Sequence, residues 1–345
     1  MRRLSRFDKI IYFLNLVAIV LLLVACFVPI VQSESLSFLS FLGLGIPALV
    51  LVNILFVLYW ALRRKKKWYG SLLILLIAYL SLDPFYKWNS TEQSSIDELK
   101  VMSYNVRSFN KYEELPSETV LEDIMAFVKK ENPDIICFQE PYYGYNFDSS
   151  NEFNKYPHRF MEYIHLEGKG FLAILSKYRI LETGFLNLPR TDSNAAFADV
   201  QYKNDTIRIY NVHLESLGIT PGQGVLRKEP TDKLFKQISH AFYKQMEQAK
   251  VIGRHIESAP YKSILCGDFN NGQYSNTYRT IRGNLQDTFL EAGSGYGRSY
   301  DFHGLPFRID FIFADESFEV KTHVNYNVEY SDHFPVMASF ELDSD

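Results

Sequence analysis

Hydrophobic residues are concentrated in three runs within the first 86 positions of this 345-residue chain: residues 10–31, 36–62 and 68–86. At ~1.5 Å of helix per residue, the first two runs are long enough to cross a bilayer core of ~30 Å. The third run reaches that length only if residues 83–86 (DPFY) lie at the membrane interface, so a surface-lying or re-entrant segment is its alternative. The pattern predicts a membrane anchor over residues 1–87, made of about three transmembrane helices.

Basic residues flank these runs in an asymmetric way. Four of them occur among the first nine residues, and RRKKK (63–67) separates the second run from the third. The link between the first two runs, residues 32–34, contains neither Lys nor Arg. Basic loops stay on the cytoplasmic side of a membrane. We therefore expect a multi-pass protein of the cytoplasmic (inner) membrane whose remaining chain is extracytoplasmic, and periplasmic in a Gram-negative cell.

The pattern changes after residues 88–98 (WNSTEQSSIDE), a polar stretch that we interpret as a linker. Over residues 99–345, short apolar segments typical of strands alternate with helical patterns at 117–131 and 232–256. The predicted strands or strand ends are residues 100–106, 133–140, 171–176, 198–214 (a hairpin), 262–270, 308–314 and 331–342. Many strands with helices between and beside them predict an α/β domain of two packed sheets covered by helices.

Almost every predicted strand ends or turns at a carboxylate, an amide or an imidazole. These polar residues are Asn105, Glu140, Asn211, His213, Asp268, Asn270, Asp310, Asp332 and His333. Each of them could be an ordinary turn residue, but buried charges are unfavourable unless they are paired or bind a metal ion. Their recurrence at so many strand ends indicates that they form one site.

The chemistry of this set suits the hydrolysis of a phosphate ester. Oxygen ligands without a Cys or His cluster favour Mg²⁺ or Mn²⁺ over zinc, and such an ion stabilises charge on a phosphoryl oxygen. A His held by an Asp can act as a general acid or base. The chain contains no G-x-S-x-G, Walker or H-E-x-x-H motif, so serine-hydrolase, P-loop and zinc-protease functions lack support.

Seven short motifs occur in the order of a known superfamily. They are SYNVR (103–107), FQE (138–140), GFLAILSKY (170–178), NVHLES (211–216), GDFN (267–270), RIDFIF (308–313) and SDHFPV (331–336). Over residues 100–342 the chain thereby resembles the endonuclease/exonuclease/phosphatase superfamily, the deoxyribonuclease I-like group. The resemblance implies a four-layer α/β/β/α sandwich with the site at one end of the paired sheets.

The resemblance also implies roles for the residues around a metal ion. Glu140 would be the main metal ligand, assisted by Asn105, and Asp332 would lie near the ion or its waters. Asp268 would orient or deprotonate the attacking water, and Asn270 would position that water or the phosphate.

The remaining roles concern the phosphate. His333, held by Asp310, would contact a phosphoryl oxygen or act as the base. His213 would bind the other side of the phosphate and assist the leaving group. Further substrate contacts are expected from Arg107, Asn211 and Ser216.

Three functions remain open from the sequence. The first is a membrane-anchored, monomeric phosphodiesterase of the nuclease type, acting on nucleic acid or nucleotides. The second is a lipid phosphodiesterase like the sphingomyelinases, or a phosphatase of the inositol-phosphate type; the third is a non-catalytic binding protein. Residues 99–345 carry 26 basic and 34 acidic side chains, a net charge of −8, which does not favour nucleic acid. Residues 217–231, rich in Gly and Pro, are predicted to be a mobile loop over the site, with an ordinary connection as the alternative.

Overall fold

Three N-terminal helices pack against one another in the computed structural model: α1 (Arg6–Phe27), α3 (Ile46–Leu62) and α4 (Trp68–Ser81). Between α1 and α3, two short 3₁₀ segments lead into the one-turn helix α2 (Ser40–Leu44). The structure describes residues 5–31, 33–89, 98–111, 115, 117–142, 153–161, 171–189, 194–218, 231–302 and 305–342.

The lengths of these helices correct the prediction of about three spans. One helix, Arg6–Ile30 with its 3₁₀ end, is long and apolar enough to cross a membrane. A second span exists only if Leu36–Leu44 and Ile46–Leu62, which meet at a 62° bend, are counted together. The third predicted run gives a helix of 14 residues that ends at Ser81, because the chain turns to an extended conformation at Leu82, just before Asp83 and Pro84.

The three-helix bundle buries several polar groups beside a small apolar cluster of Leu22, Ile74 and Ala78, and it exposes many large apolar side chains. Asn15 is fully buried, where its Nδ2 donates to Ser71 Oγ (2.5 Å) and its Oδ1 accepts from Trp60 Nε1 (2.9 Å). Leu and Phe side chains such as Phe13 and Leu73 are at least 60% exposed. A water-soluble bundle buries its apolar side chains instead, so this arrangement suits a lipid environment.

The rest of the described chain contains two six-stranded mixed sheets. Its strands are β1 (Lys87–Trp88), β2 (Leu99–Asn105), β3 (Ile135–Gln139), β4 (His158–Phe160), β5 (Leu172–Ser176), β6 (Ile180–Phe185), β7 (Asn194–Tyr202), β8 (Asp205–His213), β9 (Lys262–Asp268), β10 (Gln286–Asp287), β11 (Ser294–Gly295), β12 (Tyr300–Phe302), β13 (Leu305–Phe307), β14 (Asp310–Ala314), β15 (Phe318–Asn325) and β16 (Val336–Leu342). The first sheet has the order β15-β16-β2-β3-β5-β4 and the second has the order β10-β14-β9-β8-β7-β6. In both sheets the central pair is parallel, β2 with β3 and β8 with β9.

The helices of this domain are α5 (Val120–Glu131), α6 (Thr231–Glu257), α7 (Asn276–Arg282) and α8 (Thr288–Ala292). The inner faces of the two sheets share one core that includes Val101 and Cys137 from the first sheet and Ile207 and Cys266 from the second. Helix α5 covers the outer face of the first sheet, and α6 with α7 covers the outer face of the second. The four-layer α/β/β/α arrangement is therefore confirmed, together with the β7–β8 hairpin.

The sandwich is fixed to one end of the helical bundle. Arg282 forms an ion pair with Asp83 (2.9 Å), and Asn276 Nδ2 donates to the carbonyl of Pro29 (3.2 Å). Phe41 stacks on Phe235 with their ring centroids 5.6 Å apart. The start of the predicted linker is also attached to the sandwich, because β1 pairs with β11. Residues 90–97 lie outside the described part of the chain.

Candidate active site

The candidate site forms where strand ends of the two sheets meet. Asn105 ends β2 and Glu140 follows β3, while His213 ends β8 and Asp268 ends β9. Since β8 and β9 are parallel and in register, His213 lies beside Asp268, and Asp310 at the start of antiparallel β14 lies on the other side of Asp268. Asn105 Nδ2 connects the sheets by donating to Asp268 Oδ2 at 3.1 Å.

The backbone at these strand ends is unusual. Glu140 and Asn270 have φ angles of +52° and +49°, in the left-handed region that non-glycine residues seldom adopt. Next to Asp268, Gly267 has φ +151°, and a Cβ there would lie 1.9 Å from the carbonyl oxygen of Val212. Only glycine allows β8 and β9 to approach so closely at this point. Such conformations cluster at functional sites, where the surrounding structure maintains them.

Asp268 is the central residue of the site. It is 1% exposed, and its Oδ1 accepts the backbone N–H of Asn270 at 2.7 Å. Its Oδ2 lies 3.7 Å from His213 Nε2 and 3.6 Å from His333 Nε2. One carboxylate oxygen is therefore fixed by the main chain, and the other faces two imidazoles and the Asn105 amide.

His333 and Asp310 form a buried pair, as the sequence predicted for these two residues. His333 Nδ1 lies 3.0 Å from Asp310 Oδ2, and Ser299 Oγ accepts the backbone N–H groups of Ile309 and Asp310. Burial raises the pKa of Asp310 to about 6, despite the opposing charge of His333. Burial alone would lower the pKa of His333, but the charges of Asp310 and Asp268 outweigh it and raise that pKa to about 10. His333 Nε2 is directed at Asp268, at 3.6 Å from its Oδ2.

Glu140 completes the group from the first sheet. Its Oε1 lies 3.3 Å from both Asn105 Nδ2 and His213 Nε2. The Glu140 side chain is 37% exposed, in contrast to the buried Asp268. Glu140 is thus the carboxylate of this group that is most open to solvent. The buried Nδ1 of His213 has no hydrogen-bond partner among the described residues.

A pocket of about 410 Å³ opens over these groups. It is lined by eight of the residues predicted from the sequence: Asn105, Arg107, Glu140, Ser216, Asp268, Asn270, Asp332 and His333. Arg107 and Asp332 form an ion pair across it, with Nη1 and Oδ2 2.6 Å apart. Of the predicted loop 217–231, residues 219–230 lie outside the described part of the chain.

The structure does not bring Asn211 into the pocket, which corrects its expected substrate contact. Asn211 is fully buried between the sheets, where its Nδ2 donates to the carbonyls of Phe138 and Ala173 (2.9 and 3.0 Å). Its Oδ1 accepts from Gln139 Nε2 at 2.7 Å. Both the Nδ2 and the Oδ1 of Asn211 are thus hydrogen-bonded within the protein, and the side chain connects the two sheets below the site.

Other pocket residues were not predicted. The ring of Tyr300 lies 4.8 Å from that of His333, and Phe302, Phe307 and Ile309 add an apolar wall. Leu44, from the N-terminal helices, also lines the pocket. The sequence offers one weak signal for Tyr300, an aromatic residue between charged neighbours in RSYD (298–301), and none for Leu44.

The donor groups fit a divalent cation. Asp268, Asp310 and His333 can each direct one ligand atom at a common point, and these atoms lie within 4.8 Å of one another. Glu140 adds a carboxylate oxygen beside them, whereas Asn105 directs its Nδ2 at Glu140 and Asp268, and its Oδ1 accepts the backbone N–H of Arg107 at 3.1 Å. Closely spaced carboxylate and amide oxygens are the ligands that hard cations prefer. Asp332 fits a direct ligand less well, because one of its oxygens is engaged by Arg107.

The comparison with protein families agrees with this geometry. A model described as the Endonuclease/Exonuclease/phosphatase family matches residues 102–333, well over half of the chain. The chain belongs to the endonuclease/exonuclease/phosphatase family. A second model, described as a domain of unknown function (DUF8431), matches residues 8–85, which contain the helical bundle. Among curated proteins, none matches the chain significantly.

Solved structures of this family share the sandwich. An endonuclease/exonuclease/phosphatase from Bacteroides vulgatus has a TM-score of 0.55 and 19% identity, with 71% of this chain and 99% of that chain covered. D. rerio TDP2 complexed with a single strand DNA product has a TM-score of 0.53 and 17% identity, with 71% and 99% covered. A mannosyl-6-phosphatase from Bacteroides thetaiotaomicron has a TM-score of 0.51 and 19% identity, with 71% and 100% covered. At these identities the likeness shows the fold alone.

Proposed function

We propose that this member of the endonuclease/exonuclease/phosphatase family is a membrane-anchored, metal-dependent phosphodiester hydrolase. The observation that carries the proposal is the position of Asp268 Oδ2, which lies within 3.1–3.7 Å of Asn105 Nδ2, His213 Nε2 and His333 Nε2 at the base of an open pocket. A buried carboxylate beside two imidazoles can hold a water molecule and accept its proton.

In the proposed reaction, water attacks phosphorus and the P–O bond to the leaving alcohol breaks. One proton of the water passes to Asp268, and the leaving oxygen receives a proton from His213 or from solvent, so that a phosphodiester gives a phosphomonoester and an alcohol. The His333 imidazolium, held by Asp310, donates from Nε2 to a phosphoryl oxygen as negative charge develops there. His213 Nε2 lies on the other side of Asp268, where it can contact the leaving group.

A bound Mg²⁺ or Mn²⁺ would supply Lewis-acid stabilisation of the phosphoryl oxygens. Glu140 and Asn105 are the residues proposed to hold it, with Asp332 contributing through a water. Glu140 suits this role because it is the exposed member of the carboxylate group. Asn105 would bind the ion through its Oδ1, which here accepts the backbone N–H of Arg107.

The membrane part of the proposal rests on the large exposed apolar side chains of the bundle. We propose that α1, α3 and α4 all lie in the cytoplasmic membrane, with the short α4 reaching the interface through residues 82–86. The basic segment 63–67 lies between α3 and α4 at the end of the bundle where Arg63 pairs with Asp8 (3.1 Å). The sandwich is attached at the opposite end, which supports an extracytoplasmic catalytic domain.

The proposed activity is tested with the purified full-length protein in a nonionic detergent. Bis-p-nitrophenyl phosphate, DNA, nucleotides, inositol phosphates and sphingomyelin are each incubated with the protein after EDTA treatment, and then with Mg²⁺ or Mn²⁺ restored. We expect hydrolysis of a phosphodiester that disappears with EDTA and returns with either ion. Hydrolysis that is insensitive to EDTA would contradict the metal assignment, and no hydrolysis of any compound would contradict the activity.

A further inference from the structure

The membrane anchor contributes directly to the wall of the catalytic pocket. Leu44, the last residue of α2, lines the same pocket as Glu140, Asp268 and His333. It reaches the pocket because the chain bends by 62° between the segments Leu36–Leu44 and Ile46–Leu62. The catalytic groups therefore lie beside the anchor, and one wall of the site is made by the segment that enters α3.

A second, mainly apolar cavity of about 210 Å³ continues from the pocket. The two cavities share Leu44 and Phe307. On one side of the second cavity are Pro47 and Ala48 of α3, and on the other are Leu305 and Pro306 of the β12–β13 hairpin. We call this cavity the apolar groove. It connects the catalytic pocket to the surface of a membrane helix.

The groove runs on to the lipid-facing stripe of α3. Ala48 is followed at helical spacing by Leu51, Leu55 and Leu58, which are 57%, 55% and 53% exposed. Leu305, across the groove, is 57% exposed on the catalytic domain, where exposed large apolar residues are otherwise sparse in the described part. Apolar side chains thus lie between the exposed face of α3 and the catalytic pocket, and Gln273 and Arg308 also line this groove.

The described lining of the pocket has few cationic side chains that could bind a polyanionic chain. Among its described lining residues, Arg107 is the one Lys or Arg, and its guanidinium is paired with Asp332 at 2.6 Å. Nucleic-acid sites depend on several cations that contact successive phosphates. One phosphate beside an apolar groove matches the shape and polarity of a lipid better than that of a nucleic acid.

We infer that the substrate is a lipid of the surrounding membrane with a phosphoester head group. Its phosphate occupies the catalytic pocket, and its hydrocarbon chain lies in the apolar groove between Ala48 and Leu305 and continues along α3. This inference rests on the proposed hydrolase function and adds the class of substrate.

The test uses a homologous series of substrates, the ethyl, hexyl and hexadecyl esters of p-nitrophenyl phosphate, presented to the full-length protein in nonionic micelles. The reaction releases p-nitrophenolate in every case, so only the length of the chain changes. We expect kcat/KM to rise with chain length. Ala48→Trp, which fills the groove, should lower the hexadecyl-to-ethyl ratio of kcat/KM by about tenfold or more, as the loss of a few buried methylene contacts predicts.

Two matched controls identify the groove as the cause. Ala61→Trp makes the same substitution at an exposed alanine near the far end of α3 and should leave the ratio unchanged. Leu305→Gln should lower the ratio, whereas Leu181→Gln, at a similarly exposed leucine of β6, should not. A ratio near one in the wild type, or equal ratios in Ala48→Trp and Ala61→Trp, would overturn the inference.

A binding experiment separates this inference from the proposed activity. Hexadecyl phosphate that carries a diazirine on its chain is photolysed with the wild-type protein, and the labelled peptides are identified by mass spectrometry. Labels at residues 44–48 and 305–307 support the groove, and labels confined to the outer faces of α1 and α4 overturn it. If none of the three esters is hydrolysed, the proposed function fails, and the positions of the labels still decide whether the groove binds a lipid.

Discussion

At the scale of single residues, the site depends on one carboxylate that many groups orient. Asp268 accepts hydrogen bonds from the main chain of Asn270 and from the Asn105 side chain, so its position does not depend on a bound ligand. The carboxylate of Asp310 orients His333 in turn, and the backbone N–H of Asp310 donates to Ser299 Oγ. Such preorganisation reduces the cost of arranging the groups when the substrate binds.

The His333–Asp310 pair gives the first prediction. Asp310→Asn should lower kcat on the order of 10²-fold or more, because His333 then loses the carboxylate that keeps it charged and oriented. His333→Ala should cost a similar factor, and the double variant little more, since the two residues act as a unit. The measurement is kcat with a p-nitrophenyl phosphodiester.

Asp315→Asn is the matched control for this pair. Asp315 directly follows β14 at the end remote from the site, where it caps a turn by accepting from Ser317. Its substitution should leave kcat unchanged. Losses that add fully between the Asp310 and His333 variants would show that these two residues act independently.

At the scale of the elements, the sequence predicted the strand ends well and the orientation of single side chains less well. Asn105, Glu140 and Asp268 converge because parallel central strands bring their carboxyl ends to one edge of each sheet, and Asp310 joins them because antiparallel β14 begins at that edge. Asn211 and His213 are two residues apart and share a face of β8, but only His213 is at the strand end, so Asn211 remains between the sheets. Alternation identifies the face of a strand, not the distance of a residue from the edge.

Elements without a strong pattern were missed. Strand β15 (Phe318–Asn325) was not predicted; its buried positions do not follow a simple alternation, and a register shift lies between Val320 and Thr322. The predicted strand at 331–342 begins only at Val336, and the preceding residues form the loop that carries Asp332 and His333. Contacts such as that of Leu44 with the pocket join residues more than 200 positions apart, which no local pattern can reveal.

A buried histidine in β15 gives a prediction about stability. His323 is 3% exposed and packs on Phe289, with its Nδ1 2.7 Å from Thr288 Oγ1. Burial lowers its pKa to about 4, below the ordinary value of 6.5. The unfolded chain therefore binds a proton more readily than the folded chain does. The contribution of neutral His323 is complete above pH 6.5 and is lost as the pH falls towards 4.

Because the pKa of His323 is lower in the folded than in the unfolded chain, lowering the pH from 7 to 5 should reduce the free energy of unfolding by about 2 kcal/mol. His323→Gln cannot titrate, so its Tm should fall less between these two pH values than the Tm of the wild type. His240→Gln, at an exposed position of α6, should behave like the wild type. Equal falls in Tm for the His323 variant and the wild type would refute the assignment.

At the scale of the whole molecule, the N-terminal helical bundle and the sandwich form one continuous structure. Contacts from Pro29, Phe41 and Asp83 hold the sandwich against the end of the bundle that lacks the basic cluster. Hydropathy and flanking charges predicted an anchor, but they did not predict the bend between α2 and α3 or the end of α4 at Ser81. Runs of apolar residues therefore overestimated the number of spans of full length.

The orientation gives a prediction for cells. Because the catalytic domain is predicted to be extracytoplasmic, alkaline phosphatase fused after residue 345 should be active. Green fluorescent protein fused at the same position should not fluoresce. Fusions after residue 67, within the basic segment, are the matched control and should show the opposite pattern. A fluorescent, phosphatase-inactive fusion at the C-terminus would place the catalytic domain in the cytoplasm instead.

The central claim is that a water held at Asp268 attacks phosphorus. It is tested most directly by hydrolysing hexyl p-nitrophenyl phosphate in H₂¹⁸O with Mg²⁺, using the wild-type protein and Asp268→Asn. We predict that the phosphate product contains one ¹⁸O atom and the released alcohol none, and that Asp268→Asn lowers the rate on the order of 10²-fold or more. An ¹⁸O atom in the alcohol, or an unchanged rate in Asp268→Asn, would contradict the account.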